Sequence, residues 1–399
     1  MTPDYSGSAK DSFSRCVRGG FSVVEFNRGP LREFYINFLP ETSGEAESIE
    51  ETYDRVAELL SQLRAELVNE RCYADVDQYD QIRKVRALVY DRYGLEHAGG
   101  WSFVGARSSG APIDGVQVWA VTAQDSPAVK TMHVGAQAVG RKFSHAGVSY
   151  GCFAAVHAPS ECRFDSGLKQ QAVSMFREAA DYVGAYGFRY RDVVRTWIYL
   201  PNLLDWYDDF NAARRQVYTE LGLCGGTEPL WFPASTGIQG RSPLGGECMM
   251  DLLAVCGKEG SGLERRMLGS PLQCEAYDYG SSFCRAVEVR DESVSRIFVS
   301  GTASIDEEGK TVFQDDPVGQ IDFTLRVVEQ LIGSRGHSLG DVAQCVAFLK
   351  NPEYAELFQS IAASRGLDSR VTVRTVADVC RADLLFELEA LTIKPVTRN

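Results

Sequence analysis

The sequence predicts an α+β chain built from three repeated units, each a mixed sheet with two helices packed on one face. Three observations carry this reading. A helical segment recurs: residues 77–95 and 205–223 align without a gap, sharing Tyr-Asp, Val-Tyr and a closing Gly-Leu, and residues 353–367 are a weaker third copy. The equivalent tyrosines, Tyr79, Tyr207 and Tyr354, stand 128 and 147 residues apart, a period too long for a solenoid and right for a small domain. The stretches between the copies also correspond, running strand, helix, strand, helix, strand, strand.

Taken in order, the first helix of each unit is expected at residues 49–67, 168–186 and 318–333, where apolar residues recur at helical spacing. The second helices are the repeated segments, each stopped by glycine. Strand-like runs precede the first helices at 33–39, 147–156 and 296–305, and runs at 193–200 and 342–349 lie between helices in the second and third units. Two more strands close each unit and extra strands open it. The expected units are 19–128, 129–258 and 265–399, the first being the most divergent. Gly-Lys-Glu-Gly-Ser-Gly at 257–262 reads as a linker, and residues 1–18 as a flexible start.

Composition narrows the function. With 44% hydrophobic and 24% charged residues, the chain is an ordinary globular one. No apolar run approaches a membrane span and the polar N-terminus lacks a signal-peptide core. Eleven cysteines without a CxxC pair read as reduced thiols in a cytoplasmic protein. Five scattered histidines offer no metal site, and no organic cofactor is expected. A net charge of −13 argues against nucleic acid. A small anionic partner remains open wherever a few cations are focused.

The last strand concentrates the chemistry. From Leu384 to Leu391 the chain alternates: Leu384, Phe386, Leu388 and Ala390 share one parity, while Glu387 and Glu389 share the other with Leu385 and Leu391. Two carboxylates therefore lie side by side, ringed by apolar residues. They read either as solvated glutamates on an open face or as a coupled pair in which burial and like charge raise a carboxyl pKa.

The third unit resembles the Rid family, also called YjgF, a chorismate-mutase-like fold of small trimeric enamine/imine deaminases. The resemblance lies in Ser300-Gly-Thr-Ala-Ser-Ile, the helix from Gly319 and the closing Glu387-Leu-Glu-Ala. It implies that three units in one chain imitate the family's trimer, with sites at the interfaces between units and no need for further subunits. A monomer, or at most a weak homo-oligomer, is expected. The arginine that binds substrate carboxylate in Rid deaminases is replaced here by Thr372 and, in the second unit, by Ser235, which disfavours a plain deaminase. The second and third units together, about residues 190–392, resemble the chorismatases. The carrying segments are Arg195-Thr-Trp-Ile-Tyr, Pro233-Ala-Ser-Thr-Gly-Ile, Ala276-Tyr-Asp-Tyr-Gly with Phe283-Cys-Arg-Ala, Ser300-Gly-Thr-Ala-Ser-Ile and Cys380-Arg-Ala-Asp-Leu-Leu-Phe-Glu.

That resemblance implies removal of the enolpyruvyl group of chorismate as pyruvate, with Glu387 as the starting acid. Gly301 and Cys380 are similar to the 3-hydroxybenzoate-forming type, where the hydrolytic type has alanines. Lys350 stands where the family has arginine, and Ile198 where it has asparagine. Cleaving a vinyl ether needs a protonated carboxyl at its terminal carbon and cations for two substrate carboxylates. The cation candidates are Arg285, Lys350, Arg374 and Arg195. Tyr199, Tyr277 and Tyr279 are candidates for hydrogen bonding, Gly301 and Cys380 for the wall, and Glu389 for the partner of Glu387. Arg195 and Arg374 read equally as solvated strand charges, and Tyr199 as core. Two other functions stay open: an enzyme of this fold acting on another carboxylated cyclic or imine intermediate in secondary metabolism, and a non-catalytic binding module with Glu387 exposed to solvent.

Overall fold

The computed structural model describes residues 13–18, 20–39, 47–106, 111–124 and 128–396. The first unit runs β1 (Phe13–Arg18), β2 (Phe21–Asn27), β3 (Leu31–Phe38), α1 (Ile49–Leu63), β4 (Glu66–Asp75), α2 (Tyr79–Arg92), β5 (Trp101–Ala106) and β6 (Gly115–Ala123). The second runs β7 (Lys130–Val134), β8 (Gln137–His145), β9 (Val148–Val156), α3 (Ser160–Asp165), α4 (Leu168–Ala185), β10 (Val193–Tyr199), α5 (Leu203–Glu220), β11 (Ala234–Ile238) and β12 (Met249–Gly257). The third runs β13 (Glu264–Leu268), β14 (Ala286–Arg290), β15 (Val294–Ala303), α6 (Pro317–Gly333), β16 (Val342–Leu349), α7 (Tyr354–Ser364), β17 (Thr372–Val376) and β18 (Phe386–Pro395).

Each unit is one six-stranded sheet, and the strand order is the same three times: β1-β2-β3-β6-β4-β5, β7-β8-β9-β12-β10-β11 and β13-β14-β15-β18-β16-β17. Neighbours are antiparallel except β4/β5, β10/β11 and β16/β17, which are parallel. Those pairs are joined through α2, α5 and α7, because parallel strands need a crossover and a helix supplies it. Three local expectations need correction. α1 stops at Leu63 rather than 67, since Arg64 takes φ 49 in the left-handed region and turns the chain into β4. α3 is an extra short helix that the spacing did not announce. Within the flexible start expected at 1–18, residues 13–18 form β1, paired along their length with β2; residues 1–12 lie outside the described residues.

Helices cover one face of each sheet. The other faces pack on one another in a cycle: β4 and β5 against β8 and β9, β10 and β11 against β14 and β15, and β16 and β17 against β3 and β6. Backbone bonds stitch neighbours together, as where Gly105 N donates to Arg241 O at 3.1 Å and Cys284 N to Pro233 O at 3.3 Å. The interior face of each sheet thus lines a pseudo-threefold axis. One end of the axis is closed by apolar and aromatic residues, among them Tyr73, Tyr199 and Phe348. The other end is closed by ions: Glu33 accepts from Arg296 at 2.5 Å and Arg28 at 3.1 Å, Arg28 donates to Asp291 at 2.5 Å, and both arginines donate to the Tyr150 hydroxyl at 3.3 Å.

Glu33 comes from the first unit, Tyr150 from the second and Arg296 from the third, so this cluster ties all three units at one point. Removing Glu33 leaves two buried guanidiniums short of their anion. Glu33→Ala is expected to destabilise the chain by about 3–5 kcal/mol. Urea unfolding measures it, and a loss below about 1 kcal/mol would contradict the account.

Candidate active site

The register of the three sheets defines equivalent points. Glu387 pairs with Phe348, Met249 with Tyr199 and Gly115 with Tyr73. One position is therefore glutamate in the third unit, methionine in the second and glycine in the first. Met249 is buried in the apolar cluster that closes the axis. A side chain at Gly115 would run into Val373, whose Cγ2 lies 2.7 Å from an ideal Cβ. Two of the three interfaces are thus filled with hydrocarbon at this point, and a carboxyl stands at the third, between the second and third units.

β18 is buried on both faces. Phe386, Leu388 and Ala390 enter the core beneath α6 and α7, as the alternation predicted. Glu387 and Glu389 point the other way and are each only 4% exposed, because the second unit covers them. Their environments differ sharply. Glu389 accepts from Arg195 Nη2 at 2.5 Å and from Trp197 Nε1 at 3.1 Å, with Arg71 Nη1 3.7 Å away. Glu387 accepts no hydrogen bond from the described residues. Burial, then the charge of Glu389, push its carboxyl up to about 8, against the opposing pull of Arg195 and Arg285.

Gly301 makes room for this carboxyl. With Ser300 it forms a bulge in β15, between Val299 and Thr302, opposite β18. A Cβ at Gly301 would sit 2.0 Å from Glu387 Oε1, so only glycine allows the observed side-chain position. Ser300 Oγ donates to Cys284 O at 2.6 Å and accepts from Ser235 N at 2.9 Å, locking the bulge to β11 of the second unit.

Arg285 lies in the segment before β14, buried, with Nε donating to Cys274 O at 2.9 Å and its guanidinium over the rings of Tyr279 and Phe283. Tyr277 and Tyr279 sit in a short 3-10 turn, more than a third exposed. Tyr279 also carries Arg381 over its ring, so this turn roofs the site. Cys380 is half-buried, and burial followed by the nearby Glu387 charge pushes its thiol up to about 12. That suits a wall residue and not a nucleophile.

The other sequence candidates have different partners. Arg195 is internal, not on an edge, since β10 lies between β11 and β12; it serves Glu389 and Thr236 Oγ1. Tyr199 packs on the axis, its hydroxyl 3.5 Å from Asp251. Arg374 is in β17, the strand that packs against the first unit, on the far side of the third unit. Lys350 Nζ donates to Ala382 O and lies 3.9 Å from Asp378, bracing the segment that precedes β18.

Sequence reading missed the contribution of α5. Tyr207, Asn211 and Arg214 share one helical face at i, i+4 and i+7. Arg214 is 2% exposed, donates to Asn211 Oδ1 at 2.6 Å and reaches Ser235 Oγ at 3.5 Å. A guanidinium thus stands beside the serine that replaces the Rid arginine, delivered from a helix instead of the strand. The Tyr207 hydroxyl is near enough to Glu387, Cys380 and Arg214 for their charges to act on it. The signal was a polar and aromatic stripe inside a segment read only as a repeat.

Among the described residues no group of three or more His, Cys, Asp or Glu could hold a metal ion, all eleven cysteines stand free, and no helix is long and apolar enough to cross a membrane.

A raised carboxyl has a thermodynamic signature. Between about pH 4.5 and 8 the unfolded chain has lost the Glu387 proton and the folded chain keeps it, so stability falls as pH rises. Glu387→Gln removes that dependence. Its melting temperature is expected to rise relative to the parent as pH goes from 5 to 8; parallel curves across that range would rule out a protonated Glu387.

Comparison with known proteins found no matching family model. A chorismatase from Streptomyces hygroscopicus is 28% identical over 222 residues, 50% of this chain, and the matched part spans 61% of that protein's length. A 3-hydroxybenzoate synthase from the same organism is 26% identical over 279 residues, 63% of this chain and 76% of that protein. A crystal structure of a chorismatase superposes with a TM-score of 0.62 at 20% identity, covering 90% of this chain and 98% of that one, which shows a shared fold. The chain is thus similar in sequence to these two relatives and shares the chorismatase fold, built here as three tandem units.

Proposed function

We propose that the chain removes the enolpyruvyl group of chorismate as pyruvate, with Glu387 as the general acid. The observation that carries this reading is a buried carboxyl without a hydrogen-bond donor, held protonated near neutral pH at a junction of two units where arginines converge. Enol ether cleavage starts when a proton is delivered to the terminal carbon, and that donor must be an un-ionised acid. The oxocarbenium ion that results is stabilised by the carboxylate left behind. For 3-hydroxybenzoate, the ring C3–O bond then breaks, and its electrons and the ether oxygen leave with pyruvate. The neighbouring C4 hydroxyl oxygen moves to C3, and the C3 proton is lost and re-forms the acid. For the diene diol, water adds to the oxocarbenium carbon and the bond from that carbon to the ring oxygen breaks. Chorismate contains all the atoms of 3-hydroxybenzoate plus pyruvate, so that outcome consumes no water; the dihydroxycyclohexadiene acid requires one.

Arg285, whose charge acts on Glu387, and Arg214, from α5, would take one substrate carboxylate each, while Arg195 is committed to Glu389. Tyr207 and Tyr279 would hydrogen-bond the ring hydroxyl. The names of the two curated relatives support this substrate, and the Gly301/Cys380 pair supports 3-hydroxybenzoate as the product. A second reading, an enzyme acting on another carboxylated cyclic or imine intermediate, draws support from Lys350, which braces a loop where the family has a binding arginine. Turnover separates the two. A non-catalytic module is disfavoured because Glu387 is covered rather than exposed.

Pure protein given chorismate is expected to release pyruvate and 3-hydroxybenzoate in equal amounts. kcat should fall as pH rises through about 8, where the acid loses its proton. Glu387→Gln should lower kcat by about 10²–10⁴-fold; full turnover by that variant would sink the assignment. Gly301→Ala forces the carboxyl to turn away from a Cβ 2.0 Å distant. Chromatography of its products should show lower kcat and a larger share of the diene diol; unchanged rate and product ratio would count against the role given to Gly301.

A further inference from the structure

The mechanism above uses nothing from the first unit, yet that unit reaches the acid pair. Register places Arg71, Trp197 and Val346 at equivalent points of the three sheets, facing Gln117, Asp251 and Glu389 respectively. Of these three, the first unit alone presents a cation. Arg71 is 6% exposed. Its guanidinium lies 3.9 Å over the Trp197 ring, and Nη1 is 3.7 Å from Glu389 Oε1, the oxygen that also accepts from Trp197 Nε1. Arg195 takes the other oxygen, Oε2. The two oxygens of Glu389 therefore face guanidiniums from two different units.

These side chains line a narrow axial cavity of about 40 Å³, together with Asn69, Gln117, Asp251 and Gln344. Arg71 Nε and Nη1 and Arg195 Nη1 are buried there without a hydrogen-bond partner. The space holds about three waters at ~10–15 Å³ each, enough to complete the link between Arg71 and Glu389. The groups acting around Glu389 are Arg71 and Tyr73 from β4, Arg195 and Tyr199 from β10, Asp251 from β12, Cys345 from β16 and Glu387 from its own strand. Asp251 Oδ1 accepts from Ser102 Oγ at 2.6 Å and Ala155 N at 2.8 Å, and its charge also acts on Arg71; the ion-pair contact of Arg71 is with Glu389.

We propose that Arg71 is a positioning residue: the first unit clamps Glu389 from across the axis and holds its carboxyl in place beside Glu387. The proposal rests on reading Glu387 as the acid. The charge of Glu389 is one of the causes, after burial, that keep the proton on Glu387, so where Glu389 is held matters to the acid. Arg71 and Arg195 hold it from two different units.

The test uses the full chain and chorismate, with Arg71→Gln, Arg71→Lys, Glu389→Gln and the Arg71→Gln/Glu389→Gln double variant. Arg71→Gln should lower kcat about tenfold or more with KM within about twofold. With Glu389 no longer held beside it, Glu387 gives up its proton more easily, so the basic limb of the kcat profile should move to lower pH. Arg71→Lys should restore most of the rate and the limb. The double variant should be no worse than Glu389→Gln alone, since both changes remove one interaction. Multiplicative losses, or an Arg71→Gln limb that stays in place whatever the change in rate or melting temperature, would overturn the proposal. If Glu387→Gln itself turns over normally, the acid assignment fails; if Glu387→Gln is dead and the limb does not move, only the clamp fails.

Discussion

A sheet with helices on one face has a second face to bury, and that constraint shapes the whole molecule. Each unit solves it with the other two. The three bare faces close around an axis, so residues that would be solvent-facing in an isolated unit become interior. Polar side chains in those strands must then find partners inside the protein, since unpaired buried charge is costly. The Glu33, Arg28, Arg296 and Asp291 cluster at one end and the Arg195, Glu389 and Arg71 cluster near the other are the partners found.

Among the described residues, one buried carboxyl is left without a donor. Glu387 sits where its equivalents are Met249 and Gly115, and its surroundings do to it what they do to any buried acid: they favour the neutral form. The same covering by the second unit supplies α5, with Tyr207, Asn211 and Arg214, and so brings side chains of one unit toward an acid from another. At this point one interface carries a carboxyl and the other two are packed with hydrocarbon. The divergent first unit helps to close the axis, and its Arg71 stands 3.7 Å from Glu389.

Much of this was legible in the chain. Repeats at a domain-sized period, with helix and strand spacing in the same order each time, are enough to specify three α+β units, and the alternation from Leu384 to Leu391 is enough to pick out the glutamate pair. Ser300-Gly301 forms the bulge opposite Glu387, and Tyr277–Tyr279 a short turn beside Arg285. What could not be read was which face of the third unit meets which neighbour. Arg374 and Lys350 share a unit with Glu387, yet β17 turns toward the first unit and Lys350 toward Ala382 and Asp378. Conversely Arg214 lies 173 residues from Glu387 in sequence, on a helix whose inward face looked like ordinary amphipathicity. Local spacing determines the elements; the cyclic packing of bare faces determines the site.

The central claim is that Glu387 is protonated at neutral pH inside the closed chain. Infrared difference spectroscopy of the parent against Glu387→Gln tests it without any substrate. The account predicts a protonated-carboxyl carbonyl band at pH 6–7 that disappears as pH is raised through about 8 and that Glu387→Gln lacks. A spectrum showing only ionised carboxylate at that residue across the same range would contradict it.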